Sequence, residues 1–241
     1  MPLYDLQLKT VLLMCMTTFG RLRSDVGTIL YQDVNFEYEN NIVTSVLLHF
    51  REAKETQVKS QLFGLLTDID LCLVRTLHCF CDRTRELRSS LPDNHTLFLK
   101  FIFDSKKVDS VSPSTVASWI KTCMANAGIN TQTYKPHSLR SASSTKAVER
   151  GISVPTVKKH GNWSQKAFTF EKYYLKPTAA KATSTNIANS IFLSTENSTT
   201  FGEDSQSTRI VEENSTNNTN VDKEDSKNVV TTRPWYLKWQ N

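Results

Sequence analysis

The 241-residue sequence has no apolar run long enough to span a membrane. Its first residues also lack the basic start and small-residue cleavage site of a secretory signal peptide. We therefore expect an intracellular protein that is not secreted and has no membrane partner. Cysteine is scarce, with five residues, at positions 15, 72, 79, 81 and 123, each within an apolar helical pattern. An odd count without a secretory signal argues against a disulfide-stapled fold and predicts reduced, buried thiols.

Residues that could bind a metal ion are also sparse. Cys79 and Cys81 form a C-x-C group beside His78 and Asp82, but no second pair of ligands matches it. Structural zinc sites need four ligands, which usually come as two pairs. The sequence therefore predicts no metal site.

What the chain does contain divides into two parts near residue 177. Hydrophobic residues make up 39% of the whole, which is enough for one core of ordinary size. Residues 178–241 are rich in Ser, Thr and Asn, a composition typical of a disordered tail. Residues 1–180 carry a net charge of +7, and residues 181–241 carry −2. A modestly basic domain over residues 1–177 suits DNA as a partner but does not by itself identify one.

Periodicity in the first part predicts a mixed α/β domain, mostly helical, with a small antiparallel sheet. Apolar residues at helical spacing predict a buried helix over residues 6–19 and another over 68–87. β-Branched and apolar residues at 42–50, a charged turn, and a looser alternation at 57–66 predict a hairpin. The apolar segment 97–103 would fit an edge strand.

Capping residues predict where several helices begin and end. Gly20 marks the end of the first helix, and Ser24 is expected to cap the next one, with Asp25 in its first turn. Ser112 followed by Pro113 is a typical helix start.

The most informative stretch lies between residues 135 and 177. It contains, in this order, side chains that can bind or attack a phosphate: His137, Arg140, Trp163, Tyr173 and Tyr174. His137 and Arg140 are three residues apart, so on a helix they share one face. The planar fork of arginine can hold two phosphate oxygens, and a tyrosine can attack phosphorus if a base and a positive field assist it.

The order of these residues resembles the catalytic half of the tyrosine recombinase (phage integrase) family. The match is closest to members carried by eukaryotic mobile elements of the DIRS, Ngaro and Crypton types. Those members often end in a Phe-x-x-aromatic-Tyr pattern followed by proline, which Phe170, Tyr173, Tyr174 and Pro177 reproduce. This pattern favours Tyr174, eleven residues after Trp163, as the nucleophile. The shorter spacing of many bacterial relatives would favour Tyr173.

The resemblance also implies roles for residues nearer the start of the chain. Arg140 and a second arginine would hold the phosphate. Arg21 and Arg23 flank the position expected for the second one, and both remain candidates. Lys54, at the tip of the predicted hairpin, would protonate the leaving oxygen. Lys59, on the returning strand, is the second candidate.

Two further roles follow from the resemblance. His137 would assist proton transfer, and Trp163 would brace the phosphate through its indole group. His160 is the rival for the position of Trp163, but its place directly before Gly161 fits the family pattern less well.

The activity implied by the resemblance is cutting and rejoining of DNA through a 3′-phosphotyrosine linkage, with no metal or nucleotide cofactor. The implied partners are double-stranded DNA and further copies of the chain assembled on it, and the implied location is the nucleus or wherever the target DNA lies. Family members usually carry a separate helical domain before the catalytic one, which we expect to be absent here. That expectation motivates an alternative, an inactive DNA-binding relic. A type IB topoisomerase and a helical interaction scaffold are further alternatives.

Overall fold

The fold of residues 1–51 and 59–176, the part of the chain that the computed structural model describes, is built around helix α1 (Leu3–Thr18). This helix is apolar around most of its circumference, and such helices belong in protein interiors. Its most extensive contacts are with the helices α2 (Leu73–Arg83), α3 (Pro113–Asn126) and α4 (Ser138–Glu149). Phe19 and Gly20 then turn the chain, Phe19 with a left-handed φ of 50°.

An antiparallel sheet lies beside the helices. Its strands, in spatial order, are β1 (Val34–Glu39), β2 (Ile42–Phe50) and β3 (Lys59–Gly64). Alternate residues of β2 are buried, namely Val46, Leu48 and Phe50, and α2 contacts this strand. Phe50 pairs with Lys59, so the first residue of β3 lies beside the last residue of β2.

A second, two-stranded ladder joins β4 (Leu99–Lys100) to β5 (Asp109–Ser110). It is tied to α1 by the buried side chain of Gln7. The Gln7 amide donates to the carbonyl of Leu99 at 3.0 Å and accepts the N–H of Leu99 at 2.9 Å. The predicted mixed α/β fold with a small antiparallel sheet is confirmed.

Three helices follow one another at the carboxyl side: α4, α5 (Val154–His160) and α6 (Thr169–Tyr173). Gly151 separates α4 from α5 with a φ of 91°, which favours glycine. Ser153 caps α5 by accepting the N–H of Thr156 at 3.4 Å. A Cβ atom at Gly161, where α5 ends, would lie 1.8 Å from the ring of Trp163. Glycine at this position therefore lets Trp163 fold back over the end of α5.

Two predicted elements are shorter than expected. The helix predicted over residues 68–87 is α2 (Leu73–Arg83) followed by a 3₁₀ turn. The Asp68 carboxylate accepts the N–H groups of Asp70 at 2.9 Å and Leu71 at 3.2 Å, a side-chain turn that competes with helix. The segment 97–103 forms only the two residues of β4, because Phe101 has a φ of 55° and turns the chain.

Two predictions about individual residues are wrong. Ser24 caps no helix, because Leu22–Val26 form a single π-helical turn and the carboxylate of Asp25 accepts the N–H of Arg21 instead. Cys79 is not a buried thiol: it lies on the solvent side of α2. All five cysteines are free; Cys15, Cys72 and Cys81 are buried as predicted, whereas Cys123 is only half-buried.

Neither a metal centre nor a membrane span is found in residues 1–51 and 59–176. No group of three or more His, Cys, Asp or Glu side chains there could hold a metal ion, including the group around Cys79 and Cys81. No helix in these two ranges has both the length and the apolar character needed to cross a bilayer.

Candidate active site

Arg140 lies at the centre of the site, in the first turn of α4, and is only 6% exposed. Its Nη2 donates to the carbonyl of Gly161 at 2.5 Å. Its guanidinium carbon stands 4.1 Å from the ring centroid of Trp163 and 5.5 Å from that of Tyr174. Burial lowers the pKa of Arg140 to about 10, so the group stays charged at neutral pH.

Arg21 and Arg140 share one carboxylate, that of Asp25. Asp25 accepts the backbone N–H of Arg21 at 2.7 Å and its side-chain Nη2 at 2.6 Å. The Oδ2 atom of Asp25 lies 3.9 Å from Nη1 of Arg140. We call these three residues the arginine cluster. One negative charge between two positive charges holds both guanidinium groups in place and leaves a net positive charge, which suits a phosphate.

Arg23 occupies a different place. It is exposed and has no ion-pair partner among the residues that the structure describes. With Lys135 it lines a groove of about 370 Å³, which Arg21 and His137 also border. Of the two arginines that flank position 22, Arg21 therefore belongs to the arginine cluster and Arg23 lies in the neighbouring groove.

Tyr174 lies beside both Arg140 and Trp163. Its hydroxyl lies 3.0 Å from Nε2 of His137, and its ring meets the ring of Trp163 edge-on, with centroids 5.0 Å apart. Tyr173, by contrast, is 59% exposed. The structure thus brings Tyr174, and not Tyr173, to His137 and Arg140.

His137 is placed to take the proton of the Tyr174 hydroxyl. Partial burial of its ring, and to a smaller extent the charge of Arg140, lower the pKa of His137 below its ordinary value of 6.5. At neutral pH the imidazole is therefore uncharged, and a ring nitrogen can accept a hydrogen bond from the phenol.

The backbone that carries Tyr174 is bonded directly to α4. The carbonyl of Tyr174 accepts hydrogen bonds from the hydroxyls of Ser141 and Thr145, the latter at 3.0 Å. The Thr145 oxygen in turn accepts the N–H of Lys176 at 2.9 Å. We call residues 164–176 the tyrosine segment. Its end is fixed to the same helix that carries Arg140.

Trp163 contacts Arg140 of the arginine cluster and Phe170 of the tyrosine segment. It is 9% exposed and packs against Phe170, with ring centroids 4.8 Å apart. His160, the other candidate for this place, lies elsewhere, with its Nε2 2.7 Å from the carbonyl oxygen of Thr17. It is therefore Trp163, and not His160, that stands against the Arg140 guanidinium.

Of the two candidate lysines, the structure describes only Lys59. Lys54 lies outside the described residues. Lys59 begins β3, donates to the carbonyl of His160, and lines a narrow cleft with Arg21 and Asp25. Burial lowers the pKa of Lys59 to about 8; within the arginine cluster, Asp25 opposes this shift while Arg140 and Arg21 add to it. An ammonium with that pKa gives up its proton more readily near neutral pH than an ordinary lysine.

Three residues of this site were not among the sequence predictions for it: Asp25, Ser141 and Thr145. Asp25 follows Arg21 by four residues, and Thr145 follows Ser141 by four, which are spacings that bring side chains together on a helix. Such spacings recur throughout any helical protein. These spacings could therefore identify site residues only after the rest of the site is known.

Comparison with known proteins places this chain in a family. A model described as the phage integrase family matches residues 4–180. No curated protein matches the chain significantly. Among solved structures, the crystal structure of XerA recombinase is similar with a TM-score of 0.54 and 15% identity, over 77% of this chain and 57% of that one.

A second similar structure is XerH site-specific recombinase bound to a palindromic difH substrate, in a post-cleavage complex. Its TM-score is 0.54 at 13% identity, and the match covers 80% of this chain and 48% of that one. The chain thus spans about half the length of these two proteins. At such identities the likeness shows the fold alone.

Proposed function

Because this chain belongs to the phage integrase family, we propose that it is a site-specific recombinase that cuts and rejoins DNA through a covalent 3′-phosphotyrosine intermediate. The observation that carries the proposal is the meeting of Tyr174, His137 and Arg140. The Tyr174 hydroxyl is 3.0 Å from the imidazole, and its ring is 5.5 Å from the guanidinium. A phosphate bound at Arg140 would find a phenol beside it, with a proton acceptor already in position.

The arginine cluster would bind the phosphate at which the strand is cut. Attack by tyrosine builds negative charge on the phosphate oxygens, and fixed cations stabilise that charge most when they need not reorganise. Arg21 and Arg140 are fixed in this sense, because Asp25 holds one and lies close to the other. The ring of Trp163 supports the face of Arg140 and limits its movement.

The proposed reaction is a transesterification in which one phosphate ester replaces another. The Tyr174 oxygen forms a bond to phosphorus while its proton passes to His137. The bond from phosphorus to the 5′ oxygen of the next nucleotide breaks, and that oxygen takes a proton from a lysine. The products are a 3′-phosphotyrosine and a free 5′ hydroxyl. Reversal rejoins the strand, and no external energy source is needed because the ester bond is conserved.

We assign the proton donated to the leaving oxygen to one of two lysines, Lys59 or Lys54. The position of Lys59 beside Arg21 and Asp25, and its pKa of about 8, support Lys59. Lys54 stays a candidate because it lies outside the described residues. A DNA substrate with sulfur in place of the leaving 5′ oxygen separates them, since a thiolate leaves without needing a proton. Replacing the true acid by Met should slow cleavage of ordinary DNA only, whereas replacing the other lysine should have no selective effect.

The groove beside the arginine cluster would take the neighbouring part of the same strand. Its cationic side chains, Arg23 and Lys135, stand next to Arg21 and His137, where the adjoining phosphate would pass. Contacts of this kind position the duplex and make its binding sensitive to salt. We therefore propose double-stranded DNA as the partner and Arg23 as a phosphate contact outside the reacting group.

The finer assignments rest on the residue pattern. The order of Phe170, Tyr173, Tyr174 and Pro177 supports an origin in a eukaryotic mobile element, with the nucleus as the place of action. Strand exchange between two sites requires more than one catalytic subunit, so we propose that copies of the chain assemble on DNA. Sedimentation of the protein with and without bound duplex would test the assembly.

Covalent trapping tests the proposed function without knowledge of the target site. A pool of nicked duplexes with randomised sequence is incubated with the protein, so that cleavage near the nick releases a short fragment that cannot religate. Adducts that survive detergent are captured on a membrane and sequenced. The proposal predicts adducts that share a sequence and vanish with Tyr174→Phe. A protein that shifts the duplexes without ever attaching is the DNA-binding relic, and one that attaches without sequence preference and relaxes supercoils is a topoisomerase.

A further inference from the structure

A buried lysine outside the arginine cluster holds the tyrosine segment. Lys158 lies in the last turn of α5 and is 4% exposed. Its Nζ donates to the carbonyls of Gln165 at 3.2 Å and Ala167 at 2.8 Å, and to Oε1 of Glu171 at 3.0 Å. An ammonium has three N–H donors. All three are used, and all three acceptors belong to the tyrosine segment.

The tyrosine segment has little local structure of its own to hold it. Helix α6 (Thr169–Tyr173) has five residues, far fewer than a helix needs to be stable by itself in water. Its position must therefore come from tertiary contacts. Phe170 is fully buried against Trp163, and Thr145 holds the far end. Lys158 supplies the contacts in between, from the loop before α6 to the middle of that helix.

The choice of a lysine at this place is informative. Burying an ammonium is costly unless it is paired, and apolar residues often replace buried ion pairs without loss of stability. Stability alone thus gives no reason for a charge at position 158. An ammonium differs from an apolar side chain in making directional hydrogen bonds. Its three bonds hold the loop, through Gln165 and Ala167, and α6, through Glu171, at defined distances from α5.

We propose that Lys158 is a positioning residue for Tyr174. By holding the stretch from Gln165 to Glu171, it sets where α6 begins, and hence where the Tyr174 hydroxyl stands relative to His137 and Arg140. The inference rests on the proposed function of Tyr174 as nucleophile. Lys158 touches neither the reacting atoms nor the arginine cluster, so its loss should slow the chemical step and spare DNA binding.

The test compares Lys158→Met with Lys159→Met. Lys159 is the next residue of α5 and is exposed, so the control makes the same change on the same helix. Both variants are measured for affinity to a nicked duplex selected by wild-type trapping, and for the rate of adduct formation with all DNA bound. We expect Lys158→Met to bind within about twofold of wild type but to form adduct about a hundredfold more slowly, the size of effect that a misplaced reacting group produces.

A conservative variant separates positioning from general stability. Lys158→Arg keeps a cation with several N–H donors for the same three acceptors and should recover most of the rate. Glu171→Gln leaves both carbonyl bonds intact and should slow the reaction less than Lys158→Met does. If Lys158→Met fails to fold, Glu171→Gln replaces it in the comparison, and its adduct rate should still be lower than that of wild type. All rates are taken well below each variant's melting temperature, where a purely structural role would leave them unchanged.

Equal rates for Lys158→Met and Lys159→Met, or a slower rate explained entirely by weaker DNA binding, would overturn the proposal. If the wild-type protein forms no adduct, only the proposed function is refuted. Amide hydrogen exchange still tests whether Lys158 holds the tyrosine segment. Lys158→Met should speed exchange in residues 169–175 and leave α4 (Ser138–Glu149) as it is. Unchanged exchange in residues 169–175 would show that Lys158 does not hold the tyrosine segment.

Discussion

The arginine cluster and the tyrosine segment, which together form the site, are held in different ways. Charge fixes the arginine cluster: Asp25 bonds Arg21 at 2.6 Å and lies 3.9 Å from Arg140. The tyrosine segment is held from outside, by Thr145 at one end and by Lys158 near its middle. In the proposed function, the first arrangement would prepare a binding place for a phosphate before DNA binds. The second would bring the Tyr174 hydroxyl to that place.

This difference implies that binding and chemistry can be separated by mutation. Changes in the tyrosine segment should affect the rate of strand cleavage at unchanged DNA affinity. Changes in the arginine cluster should affect both, because in the proposed function the same guanidinium groups would bind the phosphate and stabilise the charge that develops on it.

The largest effect is expected for Tyr174→Phe. Removing the hydroxyl removes the nucleophile, so adduct formation should fall below detection, while the affinity for nicked duplex stays unchanged because the arginine cluster is intact. Gel separation of protein–DNA adducts in detergent measures the first quantity, and a mobility shift measures the second. Tyr173→Phe is the matched control and should retain the adduct. A loss of adduct with Tyr173→Phe but not with Tyr174→Phe would reverse the assignment.

A smaller but still large effect is expected for Arg140→Lys. A lysine keeps the charge but loses the planar fork that bonds Gly161 and faces Trp163, so it can no longer hold two phosphate oxygens at once. We expect adduct formation to slow by about 10²–10³-fold, as for loss of one preorganised donor, together with weaker duplex binding. Arg150→Lys, beyond the other end of α4, is the control. Unchanged duplex affinity in Arg140→Lys would break the proposed link between binding and chemistry.

An effect of intermediate size is expected for the dependence of the adduct rate on pH. His137 must be uncharged to accept the phenol proton, and its pKa lies below 6.5, so the adduct rate should rise with pH in the acid range and level off before neutrality. Below that pKa the rate should change about tenfold per pH unit. His137→Asn should abolish this rise, whereas His49→Asn, on the sheet beside Ser60, should keep it. A rise that persists in His137→Asn would assign the base to another group.

The alkaline side of the same profile identifies the acid. A lysine that protonates the leaving oxygen must carry its proton, so the rate should fall as pH rises through the lysine's pKa. For Lys59 that fall is expected near pH 8, because burial lowers its pKa to about 8 from 10.5. A profile with no fall near pH 8 would exclude Lys59 as the acid.

The smallest effect is expected for Arg23→Gln, which removes a contact outside the reacting group. A plot of the logarithm of duplex affinity against the logarithm of salt concentration falls with a slope of about 0.9 for each phosphate contact. Arg23→Gln should therefore lower that slope by about one and leave the adduct rate of bound DNA unchanged. Arg150→Gln is the control with the same change in charge. Identical slopes for the two variants would place Arg23 off the DNA path.

Much of the fold was predictable from the sequence, because it depends on local patterns. The strand over residues 42–50 and the start of α3 at Ser112 and Pro113 follow from residue type and spacing, and both are present. Family membership, predicted from the residues between 135 and 177, is confirmed by the family match. The division of the chain at residue 177 stays a prediction.

The choices between neighbouring residues were not predictable, because long-range contacts decide them. Arg21 and Arg23 are equivalent in sequence. Only the π-helical turn at Leu22–Val26, which brings the Asp25 carboxylate back to Arg21, distinguishes them. Tyr173 and Tyr174 are adjacent, and their directions depend on how α6 is held against α4 and α5. The exposure of Cys79 was predictable but missed: Cys79 lies four residues after Arg75 and three before Asp82, so all three share the exposed face of α2.

Mapping the residue that becomes linked to DNA tests the central claim most directly. Wild-type protein is trapped on a nicked duplex, digested with protease and nuclease, and the modified peptide is identified by mass spectrometry. We predict a nucleotide joined through its 3′ phosphate to the oxygen of Tyr174. A link at Tyr173, a link through a 5′ phosphate, or no link on DNA that the protein demonstrably binds would contradict it.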